Sequence, residues 1–348
     1  MRSIARSVAG WALLAAAGVL VLLAAGVEPA RAHGIAAFQD RVLSAQAGSE
    51  PLTARASAAP TVTYWGMDGQ PVRVLTTAYT RTEIQPLVDT LTSLPHGAEI
   101  NSLDLFVATE REIDWICGTS GRACYDPYAK RVIVPGTQDP TATTPQEFVL
   151  AHEYGHHLAN HRGNSPWSAL YWGTKRWATH GEVCSGVRAG YFHPGAQGSH
   201  YWSNPGEAFA QAYAEMALPS VEVGWYYDAR LTPDTGALRA VRLDATRPLR
   251  GPKRNHWRFS VGSQGPRSRL TKITTPLDGR LRIAVPEGHG RAVTIAILSP
   301  DSPKVLDRSI DAKNREVLTF NVCGERQLRV RVRVHRGNGA FVVRSLRP

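Results

Sequence analysis

The chain has 348 residues, of which 43% are hydrophobic and 20% charged, a balance that excludes collagen-like and wholly disordered chains and suffices for two packed cores. Its formal net charge is +11, unevenly placed: residues 250–348 hold 21 Lys and Arg against 7 Asp and Glu, whereas residues 33–249 hold 16 against 21. A basic C-terminal part and a mildly acidic middle predict two domains with different partners.

Arg2 and Arg6 precede an apolar run over residues 8–27, and Ala30-Arg31-Ala32 supplies a small-x-small cleavage site. Residues 1–32 therefore read as a signal peptide, with an uncleaved N-terminal membrane anchor as the alternative. The protein is expected to be secreted, with no membrane span after cleavage. Residues 33–60, rich in Ala, Ser and Gln, read as a linker or pro-segment. Residues 72–77 alternate like a strand, and 83–94 have the helical spacing of Ile84, Leu87, Val88 and Leu91. Residues 103–108 and 131–134 read as further strands. Thr143 or Thr144 is expected to cap a helix over 145–160, with Pro145 in its first turn. Residues 161–203 read as long irregular loops with some helix. Their aromatic residues, Trp177 and Phe192 among them, are read as a small local core. Asn204-Pro205 opens a second helix to about Ala217, and Pro219 ends it.

From about Gly251 the pattern changes to short alternating runs over 281–285, 293–298, 317–322, 328–334 and 341–343, separated by turn residues. This predicts a small β-sandwich. The expected fold class is α+β: a mixed sheet with helices over 61–235, followed by an all-β sandwich over 250–348. Four cysteines in an exported chain point to two disulfides with three possible pairings. Cys117 and Cys124 are close enough in sequence to clip a loop, which leaves Cys184 with Cys323 to tie the two halves. No C-x-x-C pair is present, which argues against a Cys-based metal site.

The chemistry concentrates in His152-Glu153-Tyr154-Gly155-His156. On a helix, residues four apart lie one above the other, so His152 and His156 project from one face and can hold Zn²⁺ through neutral imidazoles. Glu153, one step round, reaches a water at the metal and can act as general base. A third ligand is required. One extended pattern places a His six residues after the second, preceded by a Gly, but Arg162 and Ala159 stand at those positions. The other solution is a carboxylate from a second helix. Glu207 fits, lying in the first turn of the apolar Pro205–Ala217 helix on the face that would bury.

These two helices resemble those of the gluzincin metallopeptidases, the HExxH-plus-Glu class. The Asn204-Pro205-Gly206-Glu207-Ala208-Phe209-Ala210 stretch is similar to the glutamate helix of the anthrax lethal factor type. The resemblance covers roughly residues 103–217. It implies a zincin-like domain, His152, His156 and Glu207 as zinc ligands, Glu153 as catalytic base, and an oxyanion-stabilising Tyr or His before the glutamate helix, where His200 and Tyr201 stand. The Glu-x-x-x-Asp form of this helix is not met, because Gln211 replaces the Asp, and its amide oxygen is left to accept an imidazole N–H.

In the basic half, Arg329, Arg331 and Arg333 alternate with Val and share one face, to which Arg267, Arg269, Arg280, Arg282 and Arg291 can add. This half resembles the small β-sandwich domains that follow many secreted bacterial peptidases. Its Arg residues read either as a docking face for an anionic cell-surface polymer or as a plain solvated face. No nucleic-acid module or aromatic interleaving is present, which argues against nucleic acid as a partner. The sequence thus predicts a secreted zinc-dependent peptidase acting on a peptide or protein substrate, against the alternative of a non-catalytic cell-wall or anionic-polymer binding protein on a peptidase scaffold.

Overall fold

Short runs rich in Val, Ile and Leu pair into the first layer. The computed structural model describes residues 41–43, 60–118, 122–138, 142–286, 292–309 and 315–348. Six strands form one mixed sheet: β1 (Arg41–Val42), β2 (Thr61–Trp65), β3 (Pro71–Thr76), β4 (Asp104–Ala108), β5 (Cys124–Asp126) and β6 (Arg131–Pro135), in the order β1-β5-β6-β4-β3-β2. β3, β4 and β6 run parallel; β2 and β5 lie antiparallel to β3 and β6, and β1 is parallel to β5. The expected signal peptide and most of the expected linker lie outside the described residues. Within that linker stretch, Arg41–Val42 forms strand β1.

Helix α1 (Arg81–Ser93) buries Ile84, Leu87, Val88 and Leu91, as its spacing predicts. Helix α2 (Glu110–Ile116) starts on a capping box: the Thr109 N–H donates to the Glu112 carboxylate at 2.8 Å, and the Glu112 N–H donates to the Thr109 hydroxyl at 3.3 Å. Helix α3 (Gln146–Asn160) carries the histidines and is buried from Phe148 to Ala159 on every side, as befits a helix held between layers. Neither Thr143 nor Thr144 caps it. Pro145 itself takes the N-cap position, and its carbonyl accepts the Phe148 and Val149 N–H groups at 3.1 and 3.2 Å.

The segment expected to be mostly loop contains a two-stranded ribbon, β7 (Gly163–Asn164) with β8 (Trp167–Ser168), and three short helices. These are α4 (Ala169–Trp172), α5 (Lys175–His180) and α6 (Val183–Arg188). Trp177 and Phe192 are buried in the core. Helix α7 (Pro205–Ala217) follows a 3-10 turn over Gly198–Ser203 and packs along α3. Helix α8 (Thr235–Thr246) lies beyond residue 235 yet buries Ala237, Val241 and Ala245 in the same core.

The C-terminal part forms two four-stranded antiparallel sheets packed as a sandwich. One is β10-β15-β12-β13 (Ser268–Thr274, Gln327–Arg336, Ala292–Leu298, Val305–Arg308). The other is β14-β11-β16-β9 (Arg315–Val322, Gly279–Pro286, Gly339–Arg347, Lys253–Val261). Its core is its own, built from Leu281, Ile283, Val330, Val332, Phe341 and similar residues. Strands β9 and β10 lie outside the expected runs: Trp257, Phe259 and Val261 alternate with Arg258 and Ser260, but the first four residues of β9 are exposed, and in β10 Ile273 alone is buried.

The disulfides are Cys117–Cys124 and Cys184–Cys323, the pairing that proximity in sequence suggests; the second joins α6 to the sandwich. Across the same junction the Lys175 ammonium donates to the carbonyls of Ser165 and Asp278 at 3.1 and 3.0 Å. Burial lowers Lys175 to about 8, against the upward pull of Asp278 and Asp244. No helix among the described residues is long and apolar enough to cross a membrane.

Candidate metal centre

The site is built where α3 and α7 approach closely. One glycine permits that approach, and a second lets the start of α7 lie against α4. A Cβ on Gly155 would sit 2.9 Å from the Ala210 Cα, and a Cβ on Gly206 would sit 2.5 Å from the Leu170 carbonyl oxygen. Ala210, the residue of α7 that meets Gly155, keeps the facing surface shallow. Asn204 caps α7 by accepting the Gly206 N–H at 3.0 Å, with Pro205 in the first turn, so Glu207 is fixed at the start of the helix.

His152, His156 and Glu207 converge there, each offering a ligand atom within 4.8 Å of the others. The Glu207 Oε2 lies 3.1 Å from the His156 Nε2 and 3.6 Å from the His152 Nε2. Its other oxygen accepts from the Asn204 amide at 3.4 Å. The two imidazoles stand 5.1 Å apart at an interplanar angle of 70°. All three residues are buried, Glu207 completely. A fully desolvated carboxylate facing two imidazole nitrogens is costly unless a cation joins them, and an N,N,O donor set is one that zinc accepts. The residues therefore fit a zinc ion. Glu153, next to His152 on the same helix, is also fully buried.

A cleft of about 470 Å³ reaches Glu207 and Asn204 and is bordered by Arg41, Val42, Leu170 and Tyr171. Arg41 and Val42 come from the stretch read as linker, so strand β1 forms one wall of the approach.

The two oxyanion candidates are held by other side chains. Tyr201 is buried, with its hydroxyl 3.2 Å from that of Tyr227. His200 is exposed and stacks on His193 at 4.0 Å between ring centroids. Gln211 turns its amide N–H groups to the Glu215 carboxylate at 3.0 Å and the Gly224 carbonyl at 2.9 Å.

The back of α3 holds a network that sequence reasoning missed. His157 is fully buried. Its Nε2 lies 3.0 Å from the Glu99 carbonyl and its Nδ1 3.2 Å from the Tyr125 hydroxyl. Burial lowers its pKa to about 4, so the ring is neutral at physiological pH. The Glu99 carboxylate accepts from Arg162 at 2.9 Å, from the Tyr154 hydroxyl at 3.0 Å and from the Gly97 N–H at 2.7 Å. Burial pulls Glu99 upward, but the Gly97 N–H and the Arg162 guanidinium outweigh it and hold the carboxyl below its usual range. Arg162 also donates to the carbonyls of Asp244 and Ala245 at 2.8 and 2.9 Å, tying α3 to α8. Nothing in the spacing of Glu99 or Arg162 marks them; only their shared burial does.

No family model and no curated protein match the chain. Among solved structures, the pre-peptidase C-terminal domain of a collagenase from Bacillus anthracis aligns with 26% of this chain and 85% of its own, at 14% identity and a TM-score of 0.22. A GH115 4-O-methyl-α-glucuronidase with specificity for decorated arabinogalactans aligns with 58% of this chain and 39% of its own, at 10% identity and a TM-score of 0.19. Both similarities are too slight to extend to a fold or an activity.

Proposed function

We propose that this chain is an exported, zincin-like zinc peptidase of the gluzincin type. The observation that carries the reading is the buried convergence of His152, His156 and Glu207 from two helices, with Glu153 beside His152. When bound, zinc supplies Lewis acidity and an acidified water. The protein's own residues do the rest. Glu153 takes the proton from the attacking water and returns it to the departing amine. Asn204 steadies the Glu207 carboxylate. The walls of Tyr171 and Leu170 border the approach to the centre. Tyr201 or His200 donates to the developing oxyanion after a side-chain rearrangement, since each is engaged elsewhere here. The two disulfides fit an oxidising compartment and so favour export.

The test is zinc content and peptide turnover of wild type, Glu207→Ala and Glu153→Gln. Wild type is expected to hold about one zinc per chain. Glu207→Ala should lose most of it. Glu153→Gln should keep the zinc but lose turnover by roughly a hundredfold or more. A folded wild-type protein without metal would overturn the reading and bring the polymer-binding alternative forward. Near-normal turnover by Glu153→Gln would remove Glu153 from its role.

A further inference from the structure

The arginines that the sequence groups into one patch divide between the two outer faces of the sandwich. Arg331 and Arg333 lie on the β10-β15-β12-β13 sheet with Arg267, and Arg282 lies on the other. Arg291 lies outside the described residues.

The β14-β11-β16-β9 face is the more uniform of the two. Strand register places Arg254, Leu346 and Arg282 in one row across β9, β16 and β11. His256, Arg344 and Ala284 form the next row, and Arg258 with Val342 the third. Successive rows lie about 7 Å apart, and the row ends on β9 and β11 are about 10 Å apart. A shallow groove of about 570 Å³ runs over this grid. Its floor is Ala284, Val342 and Leu346, and four guanidinium groups stand around it. No Asp or Glu lines it. Among the described residues Arg254, Arg258, Arg282 and Arg344 form neither an ion pair nor a side-chain hydrogen bond. On the opposite sheet Arg308, Arg331 and Arg333 likewise have no such partner among the described residues, but two of its arginines are tied to backbone: Arg267 donates to the Val334 and Gly337 carbonyls, and Arg329 to the Ser299 and Ser302 carbonyls.

Four like charges gathered without a counter-charge repel one another and destabilise the bare surface, so the arrangement gains from an anion that spans several of them. A guanidinium fork binds phosphate in bidentate fashion. One small anion meets one or two forks; a grid of this size calls for a chain with charges at intervals. Its lining holds no Phe, Tyr or Trp on which bases or sugar rings can stack, the His256 imidazole being its one ring. None of the large exposed apolar residues lies on this face, whereas Leu270 and Val305 are exposed on the strands of the other sheet, so insertion among lipid tails has no support here.

We infer that this face is a docking groove for a linear polyol-phosphate polymer, with Arg254, Arg258, Arg282 and Arg344 as its phosphate contacts. The short polyol bridge between successive phosphates covers the distance between neighbouring rows. The inference does not depend on the metal centre, since it concerns binding alone.

The test is binding of the full chain to poly(glycerol phosphate), with single-stranded DNA, polygalacturonate and anionic phospholipid vesicles as comparison probes. Wild type, Arg258→Gln/Arg344→Gln and Arg331→Gln/Arg333→Gln are compared at several salt concentrations. Wild type should bind the polyol phosphate more tightly than the other three probes. The Arg258→Gln/Arg344→Gln protein should bind roughly tenfold or more weakly and show a shallower salt dependence. The Arg331→Gln/Arg333→Gln protein should change less than about twofold. An Arg258→Lys/Arg344→Lys protein keeps the charge and should retain part of the affinity, which separates loss of contact from loss of fold. Unchanged binding in Arg258→Gln/Arg344→Gln, an equal loss in the opposite-face variant, or equal or tighter binding to DNA, polygalacturonate or vesicles would each overturn the inference.

Discussion

Arg162 stands where an extended histidine pattern would place a third zinc ligand, and the structure gives it another task. It is the cation for Glu99, whose side chain is only 2% exposed. The pair lies behind α3, where Tyr154, inside the His-Glu motif, reaches Glu99 with its hydroxyl. Removing the cation leaves a buried carboxylate uncompensated. Arg162→Met is therefore expected to destabilise the protein by about 3 kcal/mol. Adding Glu99→Gln should recover at least half of that loss, because the charge goes with its partner. Urea unfolding of both variants checks this, and equal losses would refute the pairing. The pH dependence has a definite sign. The folded-state pKa of Glu99 is lowered, so its contribution is present above the ordinary carboxylate range and is lost as pH falls through the folded value. The double variant should lack that part of the acid sensitivity.

At the scale of elements, the candidate metal centre depends on how closely α3 and α7 pack. Helix propensity alone predicts that Gly155→Ala stabilises α3 by up to about 1 kcal/mol. The close approach predicts the reverse, since the new methyl would meet the Ala210 backbone at 2.9 Å. Backbone on the facing helix cannot turn aside as a side chain can, so the helices must part. We expect Gly155→Ala to destabilise by about 1–3 kcal/mol and to weaken zinc binding measurably in competition with a chelator. A stabilised variant with unchanged zinc affinity would show that the contact is looser than it looks. The same two helices show what a sequence can disclose. Both were legible, because apolar helix-compatible runs, the Asn204-Pro205 start and the His and Glu positions agree. The strands over residues 71–76, 104–108 and 131–135 were legible to within about a residue, since apolar side chains buried on the sheet leave continuous or alternating runs. Strand β1 was not, because its two residues are held by pairing with β5 rather than by propensity. Helix α8 went unread because its buried face is largely alanine, too slight a signal beside Arg239, Arg242 and Asp244. The oxyanion side remained a choice between Tyr201 and His200, and the geometry engages each with a different neighbour.

For the whole molecule, the question is what makes two cores behave as one body. The core of the sheet-and-helix part and that of the sandwich are built from separate sets of residues. The contacts across the junction are largely polar. The Asp278 N–H donates to the Thr179 hydroxyl at 3.0 Å, the Arg280 N–H to the Ser165 carbonyl at 3.3 Å, and Arg188 to the Asn321 carbonyl and Glu325 carboxylate at 3.2 and 3.4 Å. Lys175 adds two bonds to carbonyls but carries a desolvation cost, visible in its lowered pKa. Polar contacts of this kind contribute about 0.5–1.5 kcal/mol each, and exposed pairs such as Arg188 with Glu325 contribute less. The Cys184–Cys323 bond is of another order, because it closes a sequence separation of 139 residues. In the chain-entropy account, such a long loop constrains the unfolded state by several kcal/mol. Cys184→Ser/Cys323→Ser is thus expected to lower stability by about 2–5 kcal/mol and to split one calorimetric transition into two, one for each core. Zinc content should be unchanged, since His152, His156 and Glu207 all lie on the first core's helices. A single transition at an unchanged Tm would mean that the polar junction alone couples the two parts, and that the bond guards against a redox or proteolytic hazard rather than holding the molecule together.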